Sequence, residues 1–503
     1  MIWRIARKEV LSNIITLRFT VGTVLFLALV VTFTTVLISD YRQKIESYNE
    51  LVSRNSSELR QLMTYRNLKP TVYKPPEVLV VFSKGVEENM GNSVQISIGE
   101  VPISKSAAGA KNPLLSIFPV LDIVLIFKLV ISVLTLLLAY DAISGEKEDK
   151  TLGLMLSNNI PRHQVLFGKF IGGMITISVP IAIGFLVGGI ILTVSPMISL
   201  SLSDWLRIVL MFFVSLIMVG VLFSLGLFFS SMTKRASDSL MLLLFMWVLF
   251  VLIIPNVSTY LADQMKPIES REKIDSQVQE MWREFNKEVR DFDIKISKTG
   301  TEYQVESDAN EPWGWYHKFA TKVLIRQEQE LNAFSEPHRI ECADKAWQAE
   351  RGYLESLNQQ KNFADMLSRF SPISLYEILI SGLSRSDVAS FEGFFEQTRE
   401  YRKQIINYLY SKNAFSAIRY TATIKEEHLF DVSSMEEYGV LREKYDREEP
   451  SPLNIEDIPQ FLYQPESVSA TVKRILPDMA LLCIIGILFF LCGFVAFLKY
   501  DVR

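Results

Sequence analysis

Residues that usually carry out chemistry are scarce in this chain. Its 503 residues include four histidines and three cysteines, and they form neither a His-Glu-x-x-His nor a Cys-x-x-Cys motif. A metal site and a disulfide framework are therefore unsupported. The sequence also lacks a Gly-x-x-x-x-Gly-Lys-Ser/Thr phosphate loop and a Gly-x-Ser-x-Gly nucleophile elbow. It therefore predicts a chain with no catalytic residue, no bound cofactor and no metal.

Net charge is also small. The formal charge of −4 is too low to indicate nucleic acid as a partner. Hydrophobic residues make up 49% of the chain and charged residues 21%, but the two kinds are separated into blocks. Such segregation is typical of a membrane protein that carries large polar insertions.

Long apolar runs are abundant. A helix needs about 20 mostly apolar residues to cross a bilayer, and six segments meet this requirement: 19–38, 118–140, 170–194, 206–229, 240–255 and 477–498. The first run could be a cleaved signal peptide, but it exceeds the usual apolar core of about 7–15 residues and lacks a small-residue cleavage site. We interpret it as a retained span.

The orientation follows from the positions of lysine and arginine, which favour the cytoplasmic side. They occur in segments 1–18, 141–169 and 499–503 and between the fourth and fifth spans, but not between the third and fourth. The chain is therefore expected to be a multi-pass protein of the inner cell membrane, with both termini in the cytoplasm. Segments 39–117 and 256–476 then lie outside.

The two outer segments differ in their patterns. In the smaller one, 78–82 is rich in β-branched residues and 94–98 alternates, which predicts a strand pair in a small α/β unit. The larger one has apolar residues at helical spacing over 274–292, followed by helical stretches at 315–334 and 343–370. Its acidic, proline-rich end, 448–465, predicts a linker. We expect a mostly helical outer domain.

The segment after the second span combines a charged turn with an amphipathic helix. Its apolar stripe is predicted to contain Thr151, Leu152, Met155 and Leu156. Such a helix can present its other face to a soluble partner. Alternatively, it only anchors the third span.

Particular residues in this segment match a known pattern. Glu146-Lys147-Glu148, Thr151-Leu152, Pro161-Arg162 and Gly168-Lys169 follow one another in that order. The segment resembles the signature loop of ABC-2 type transporter permeases, in the subset with large extracytoplasmic insertions. Segment 1–18, in which Trp3, Ala6, Val10, Ile14 and Leu17 share one helical face, resembles the amphipathic connecting helix of those permeases.

The resemblance implies an all-α polytopic membrane protein with six transmembrane helices. It also implies an ATPase subunit as a partner, which supplies ATP and magnesium, and a second permease chain in a dimer within the lipid bilayer. ATP hydrolysis would drive export or extraction of a substrate that the sequence does not identify. The residues expected to couple the ATPase to the spans are Glu146, Lys147, Glu148, Thr151, Leu152, Met155, Leu156, Pro161 and Arg162.

Polar or helix-perturbing residues within the spans form a second group of candidates. A charge inside a bilayer is costly, so Lys128 in the second span needs compensation. We expect it to lie on a substrate path or at an interface between permeases. Alternatively, its side chain extends to the membrane surface or pairs with Asp122. Pro180 and the Gly184-x-x-x-Gly188 pair indicate close helix packing more than gating.

A second hypothesis belongs to a different class. The outer helical domain is large enough for a membrane-anchored scaffold or sensor that binds an extracytoplasmic protein partner. The charged loop favours the permease, whereas the size of the outer domain favours the scaffold.

Overall fold

The structure is a computed structural model that describes residues 1–87, 90–103, 122–157, 160–297, 306–311, 314–426, 429, 439–440, 443 and 450–499. Within these residues, six helices are long and apolar enough to cross a membrane, in the order the sequence predicted. The all-α polytopic fold with six membrane helices is thus confirmed. The start of the predicted second span, residues 118–121, lies outside the described residues.

The helices are numbered here in chain order. They are α1 (Ile2–Ile14), α2 (Leu17–Arg60), α3 (Ile123–Ile126, a π turn Phe127–Ile131, and Ser132–Ala139), α4 (Ser144–Glu148), α5 (Thr151–Ser157), α6 (Arg162–Val194), α7 (Leu202–Met232), α8 (Ala236–Val248, a π turn Leu249–Ile253, and Ile254–Met265), α9 (Arg271–Ser297), α10 (Lys322–Ser368), α11 (Pro372–Leu383), α12 (Val388–Ser411) and α13 (Val468–Leu498).

The spans α2, α3, α6, α7, α8 and α13 form one bundle, and α7 lies near its centre. The most apolar window of α7 is 61% buried by protein, as is that of α3, whereas those of α8 and α13 are only 17% buried. Helix α7 packs against α3, α6, α8 and α13. Its amino terminus is fixed by a capping box in which Ser201 and Asp204 exchange hydrogen bonds. The poorly covered faces of α8 and α13 are apolar, as expected for surfaces that contact lipid or another membrane chain.

The smaller outer segment differs from the prediction in one of its strands. Helix α2 continues without a break past residue 38, where the predicted first span ends, to Arg60. The predicted strand at 78–82 is wrong, since Val78–Val81 is a 3₁₀ turn whose side chains are buried in the bundle core. The strand pair itself exists between β1 (Thr71–Tyr73) and β2 (Ser93–Gln95). Burial on all sides, rather than alternation, explains the apolar run at 78–82.

The larger outer segment is mostly helical, as predicted. Helix α9 packs along α10 and carries the expected apolar seam, with Ile274 and Phe285 buried. The predicted helix start at residue 315 is wrong, because Gly314–Ala320 is strand β4, paired with β3 (Glu306–Glu311). Its aromatic residues favour a strand. Helix α10 begins only at Lys322, where the Thr321 hydroxyl accepts a hydrogen bond from the Leu324 backbone N–H.

The predicted linker at 448–465 packs on the outer domain over its described part, 450–465. Leu453 and Ile455 are buried in the core of that domain. The Leu453 backbone N–H donates to the Leu62 carbonyl at 2.7 Å. The segment therefore connects the two outer segments to each other as well as leading to the last span.

Helix α11 was not recognised from the sequence as a separate element. It belongs to the outer segment, yet Ile373, Leu375, Tyr376, Leu379 and Ile380 are buried in the core of the membrane bundle. It packs between α7 and α13. At twelve residues it is too short to span a bilayer, so it enters the bundle only part of the way.

A buried arginine fastens this helix. The Arg207 guanidinium is fully buried and donates to the carbonyl of Leu383 at 3.1 Å, the carbonyl of Glu466 at 2.8 Å and the hydroxyl of Thr471 at 3.0 Å. These three acceptors lie at the end of α11 and at the start of α13. One side chain of a membrane helix therefore joins the outer domain to the bundle.

The closest helix contact that we test lies between α7 and α3. A Cβ on Gly226 would stand 2.2 Å from the Ala139 Cβ, whereas a Cβ on Gly220 would stand 3.5 Å from the flexible end of Met174. We expect Gly226→Ala to be less stable than Gly220→Ala by about 2 kcal/mol, because overpacking strains the helix pair. Thermal unfolding of the purified protein in detergent measures this difference, and equal unfolding temperatures for the two variants would contradict the packing described.

Candidate functional site

The charged loop after the second span consists of the short helices α4 and α5. It begins against the end of α7, where the Ser230 hydroxyl accepts hydrogen bonds from the backbone N–H groups of Ile143 and Ser144, both at 2.9 Å. Lys150, with a φ of 58°, makes the turn between the two helices. The loop is thus a compact structure attached to the bundle.

Glu146 participates in a buried ion-pair cluster. The Lys169 ammonium lies 3.0 Å from the Glu146 carboxylate and 3.2 Å from the Glu9 carboxylate, and the lysine side chain is only 3% exposed. Lys8 lies farther off, 3.7 Å from Glu146. A buried lysine is stable as a cation only when carboxylates compensate the lost hydration. The cluster therefore joins three elements, namely α1, α4 and α6.

Lys147 and Glu148 reach the fourth and fifth spans. The Lys147 ammonium donates to the carbonyls of Ser230, Ser231 and Thr233, with a distance of 2.9 Å to Thr233. These carbonyls lie at the end of α7, where a cation is favourable. The Glu148 carboxylate accepts from the Ala236 backbone N–H at 3.1 Å, which caps the start of α8. Both charges fit the polarity of the helix ends they contact.

Arg162 reaches the last span. Its guanidinium donates to the carbonyls of Phe497 at 3.0 Å and Leu498 at 2.6 Å, at the end of α13. Pro161 stands at the N-cap position of α6, where proline's missing N–H costs nothing. Glu146, Lys147 and Arg162 thus contact helices of the bundle, whereas Glu148 is exposed and contacts the start of α8.

The apolar stripe of α5 is partly as predicted. Leu152 is fully buried, and Met155 is partly buried against the bundle core. Thr151 is exposed instead, since it is the first residue of the helix and its hydroxyl donates to the Glu146 carbonyl at 3.4 Å. The side chain of Leu156 lies outside the described residues.

Helix α1 packs on α6 through Ile5 and Ala6, of which Ala6 belongs to the predicted apolar face. Ile5 and Ala6 are buried, and a Cβ on Gly168 or Gly172 would clash with them. Of the predicted face, Trp3 and Ile14 are exposed, at 68% and 45%. The helix therefore has two apolar faces, one against protein and one available to the membrane surface.

Lys128 does not pair with Asp122. Its ammonium lies 3.1 Å from the Glu377 carboxylate of α11, with the lysine side chain 20% exposed. Asp122 instead caps α3, accepting from the backbone N–H groups of Leu125 at 2.8 Å and Lys84 at 3.3 Å. The pairing that the sequence suggested is wrong, because Asp122 precedes the first helical turn and its carboxylate bonds that turn's backbone.

Pro180, Gly184 and Gly188 lie on α6, and all three are buried. A Cβ on Gly184 would stand 2.8 Å from the Phe26 ring of α2, whereas one on Gly188 would meet only Thr34 at 3.9 Å. Gly184 therefore permits close packing between the first and third spans. Helix α6 continues through Pro180 to Val194.

The comparisons with known proteins agree with this architecture. A sequence model of the family described as "ABC-2 family transporter protein" matches residues 3–502. The chain therefore belongs to the ABC-2 transporter family.

Two curated relatives carry the description "Probable ABC transporter permease protein NosY", one from Stutzerimonas stutzeri and one from Pseudomonas aeruginosa. Each is 48% identical to this chain over 52 residues, which are 10% of this chain and 19% of the relative. The chain thus spans about a fifth of the length of these relatives.

The sequence alone did not identify Glu9 and Ser230, two of the groups that hold the charged loop. Glu9 was not singled out, although it is the one carboxylate within the basic segment 1–18. Ser230 carried no signal at all, because serine is common at helix ends. Lys169 was noted as part of a motif, but its burial depends on α1 lying across α6, which only the tertiary structure shows.

We expect the buried cluster to hold the loop in place. Glu146→Gln leaves Glu9 as the one carboxylate beside Lys169, and loss of a partner from a buried ion-pair cluster is destabilising. Hydrogen exchange of residues 144–157 should therefore accelerate in this variant. Asp149→Asn removes one charge from the same loop at an exposed position and should leave the exchange unchanged. Equal protection in both variants would show that the cluster does not hold the loop.

Proposed function

We propose that this chain is the membrane subunit of an ATP-driven transporter whose separate ATPase subunit, with ATP and magnesium, binds the loop of residues 141–169. The observation that carries the proposal is the burial of Lys169 between Glu9 and Glu146. Because Lys169 contacts both carboxylates directly, a movement of the loop is transmitted to α1 and to the third span. The transported substrate is exported, or extracted from the outer leaflet, without covalent chemistry by this chain.

We assign different roles to the two sides of the loop. The inward side, with Glu146, Lys147 and Arg162, contacts the ends of the spans. The outward tip of the loop consists of residues 148–151, which are exposed. We therefore place the ATPase contact at the tip, with Asp149, Lys150 and Thr151, and assign Glu146, Lys147 and Arg162 to transmitting its motion.

The orientation follows from the same contacts. Helix α1, the loop and the ends of α7 and α13 meet at one end of the bundle, together with Lys234 and Lys499. That end is the richest in lysine and arginine in the short connections, which favours the cytoplasm. Both termini are then cytoplasmic, and the domain built from α9 to α12 lies outside the cell membrane.

A second permease completes the proposed assembly. The poorly covered spans expose apolar side chains such as Met241, Phe245, Ile484 and Ile487. Lipid or a second chain must cover them. We propose a dimer with an identical or related permease. Family membership favours this transporter over a scaffold, although an extracytoplasmic protein partner of the outer domain is compatible with both.

The experiment that tests the proposal is co-purification of the intact protein with its ATPase from native membranes, followed by an ATPase assay. We expect Asp149→Arg with Thr151→Trp to abolish capture of the ATPase while leaving the unfolding temperature of the permease unchanged. Glu146→Gln should retain the ATPase but lose substrate-stimulated hydrolysis, because it loosens transmission rather than contact.

Glu272→Arg is the matched control, since it changes an exposed charge at the start of α9 on the opposite side of the bundle. It should capture the ATPase as the unmodified protein does. Normal capture by the loop-tip variant would place the ATPase contact elsewhere. Absence of any co-purifying ATPase under mild conditions would remove the basis for the proposed function.

A further inference from the structure

A cavity of about 840 Å³ opens between α7 and α13 at the end of the bundle that carries the charged loop. The two helices cross closely at Gly493, where an added Cβ would stand 3.2 Å from the Phe228 Cα. The cavity extends from Phe228 and Leu491, near this crossing, to Lys234 and Lys499 at the end of the bundle, and we call it the cleft.

The walls of the cleft change from apolar to basic along its length. Phe228, Leu491 and Val495 line the apolar part, and Lys147, Lys234 and Lys499 line the part nearest the helix ends. Aspartate and glutamate are missing among its described lining residues. Lys234 and Lys499 are exposed, and within the part of the chain that the structure describes neither forms an ion pair.

Two helix ends at the cleft would ordinarily repel an anion, because the carboxyl end of a helix carries partial negative charge. Here both are already neutralised. Lys147 holds the last carbonyls of α7, and Arg162 holds those of Phe497 and Leu498 at the end of α13. The helix ends therefore do not weaken the attraction of an anion to Lys234 and Lys499.

We propose that this cleft binds one anionic phospholipid of the adjacent membrane leaflet, with its phosphate between Lys234 and Lys499 and an acyl chain along Leu491 and Val495. The apolar wall favours a lipid over a free anion, since a soluble phosphate would leave that wall uncovered. Basic clefts between membrane helices bind acidic head groups in this way. The site rests on the location of the bundle in a membrane and is independent of the ATPase.

The test uses the full-length protein in detergent, with dioleoyl phosphatidylglycerol as the anionic lipid and dioleoyl phosphatidylcholine as the neutral one. Native mass spectrometry counts bound lipids, and the unfolding temperature reports stabilisation. We expect phosphatidylglycerol, but not phosphatidylcholine, to remain bound and to raise the unfolding temperature. Lys234→Gln with Lys499→Gln should weaken retention of phosphatidylglycerol by roughly fivefold per lysine removed.

The matched control is Arg4→Gln with Arg7→Gln, which removes two exposed positive charges from α1 at the same end of the bundle. It should retain phosphatidylglycerol as the unmodified protein does. If this control loses phosphatidylglycerol to the same extent, the effect is due to general surface charge and the proposed site is wrong. Equal retention of both lipids would also overturn it.

A second variant tests the apolar wall without changing charge. Ala496→Trp fills the cleft from α13, so it should abolish retention of phosphatidylglycerol in protein that still unfolds cooperatively. If inorganic phosphate alone raises the unfolding temperature as much as the lipid does, the cleft is an anion site and the lipid proposal is wrong. Should Ala496→Trp not fold, the lysine variant and its control decide the question by themselves.

Discussion

The arrangement of the bundle end that carries the charged loop depends on one buried cation. Lys169 lies at the start of the third span with its side chain 3% exposed, and it is held by Glu9 and Glu146. Removing either carboxylate would leave a poorly compensated charge away from water, which proteins do not tolerate cheaply. The amino-terminal helix and the charged loop must therefore stay together on α6. The interactions of Lys147, Glu148 and Arg162 extend this constraint to the ends of the fourth, fifth and sixth spans.

The opposite end of the bundle also contains a buried cation. The terminal nitrogens of Arg207 donate to two backbone carbonyls and one hydroxyl, and one of the carbonyls lies at the end of α11. The apolar side chains of α11 are buried in the core of the bundle, and the Lys128 ammonium contacts the Glu377 carboxylate of this helix. The large outer domain is consequently packed against the spans through a helix within the bundle. Helix α11 and the charged loop, through Lys147 and Arg162, therefore contact the same pair of spans, α7 and α13.

Much of the molecule could be predicted from the chain. The six spans are long apolar runs whose existence depends on composition alone, because a bilayer requires every backbone group to be bonded within a helix. The loop with Glu146, Thr151 and Arg162 was found by the order of its residues. The run at 78–82 was misread as a strand, since a short run buried on all sides has no periodicity that separates strand from turn. The sequence pattern predicted a helix at Trp315, whereas this residue lies in a hairpin strand that interrupts a mostly helical region.

By itself, the sequence determined the number of spans, the helical outer domain and the family-like loop, because these depend on local composition and residue order. Only the tertiary structure decided which groups meet. The partners of Lys169, Lys128 and Arg207 lie far from them along the chain, namely Glu9 and Glu146, Glu377, and the Leu383 carbonyl. Charges in an apolar bundle must find compensation wherever the helices cross. Crossing points depend on the packing of whole helices, so no local pattern records them.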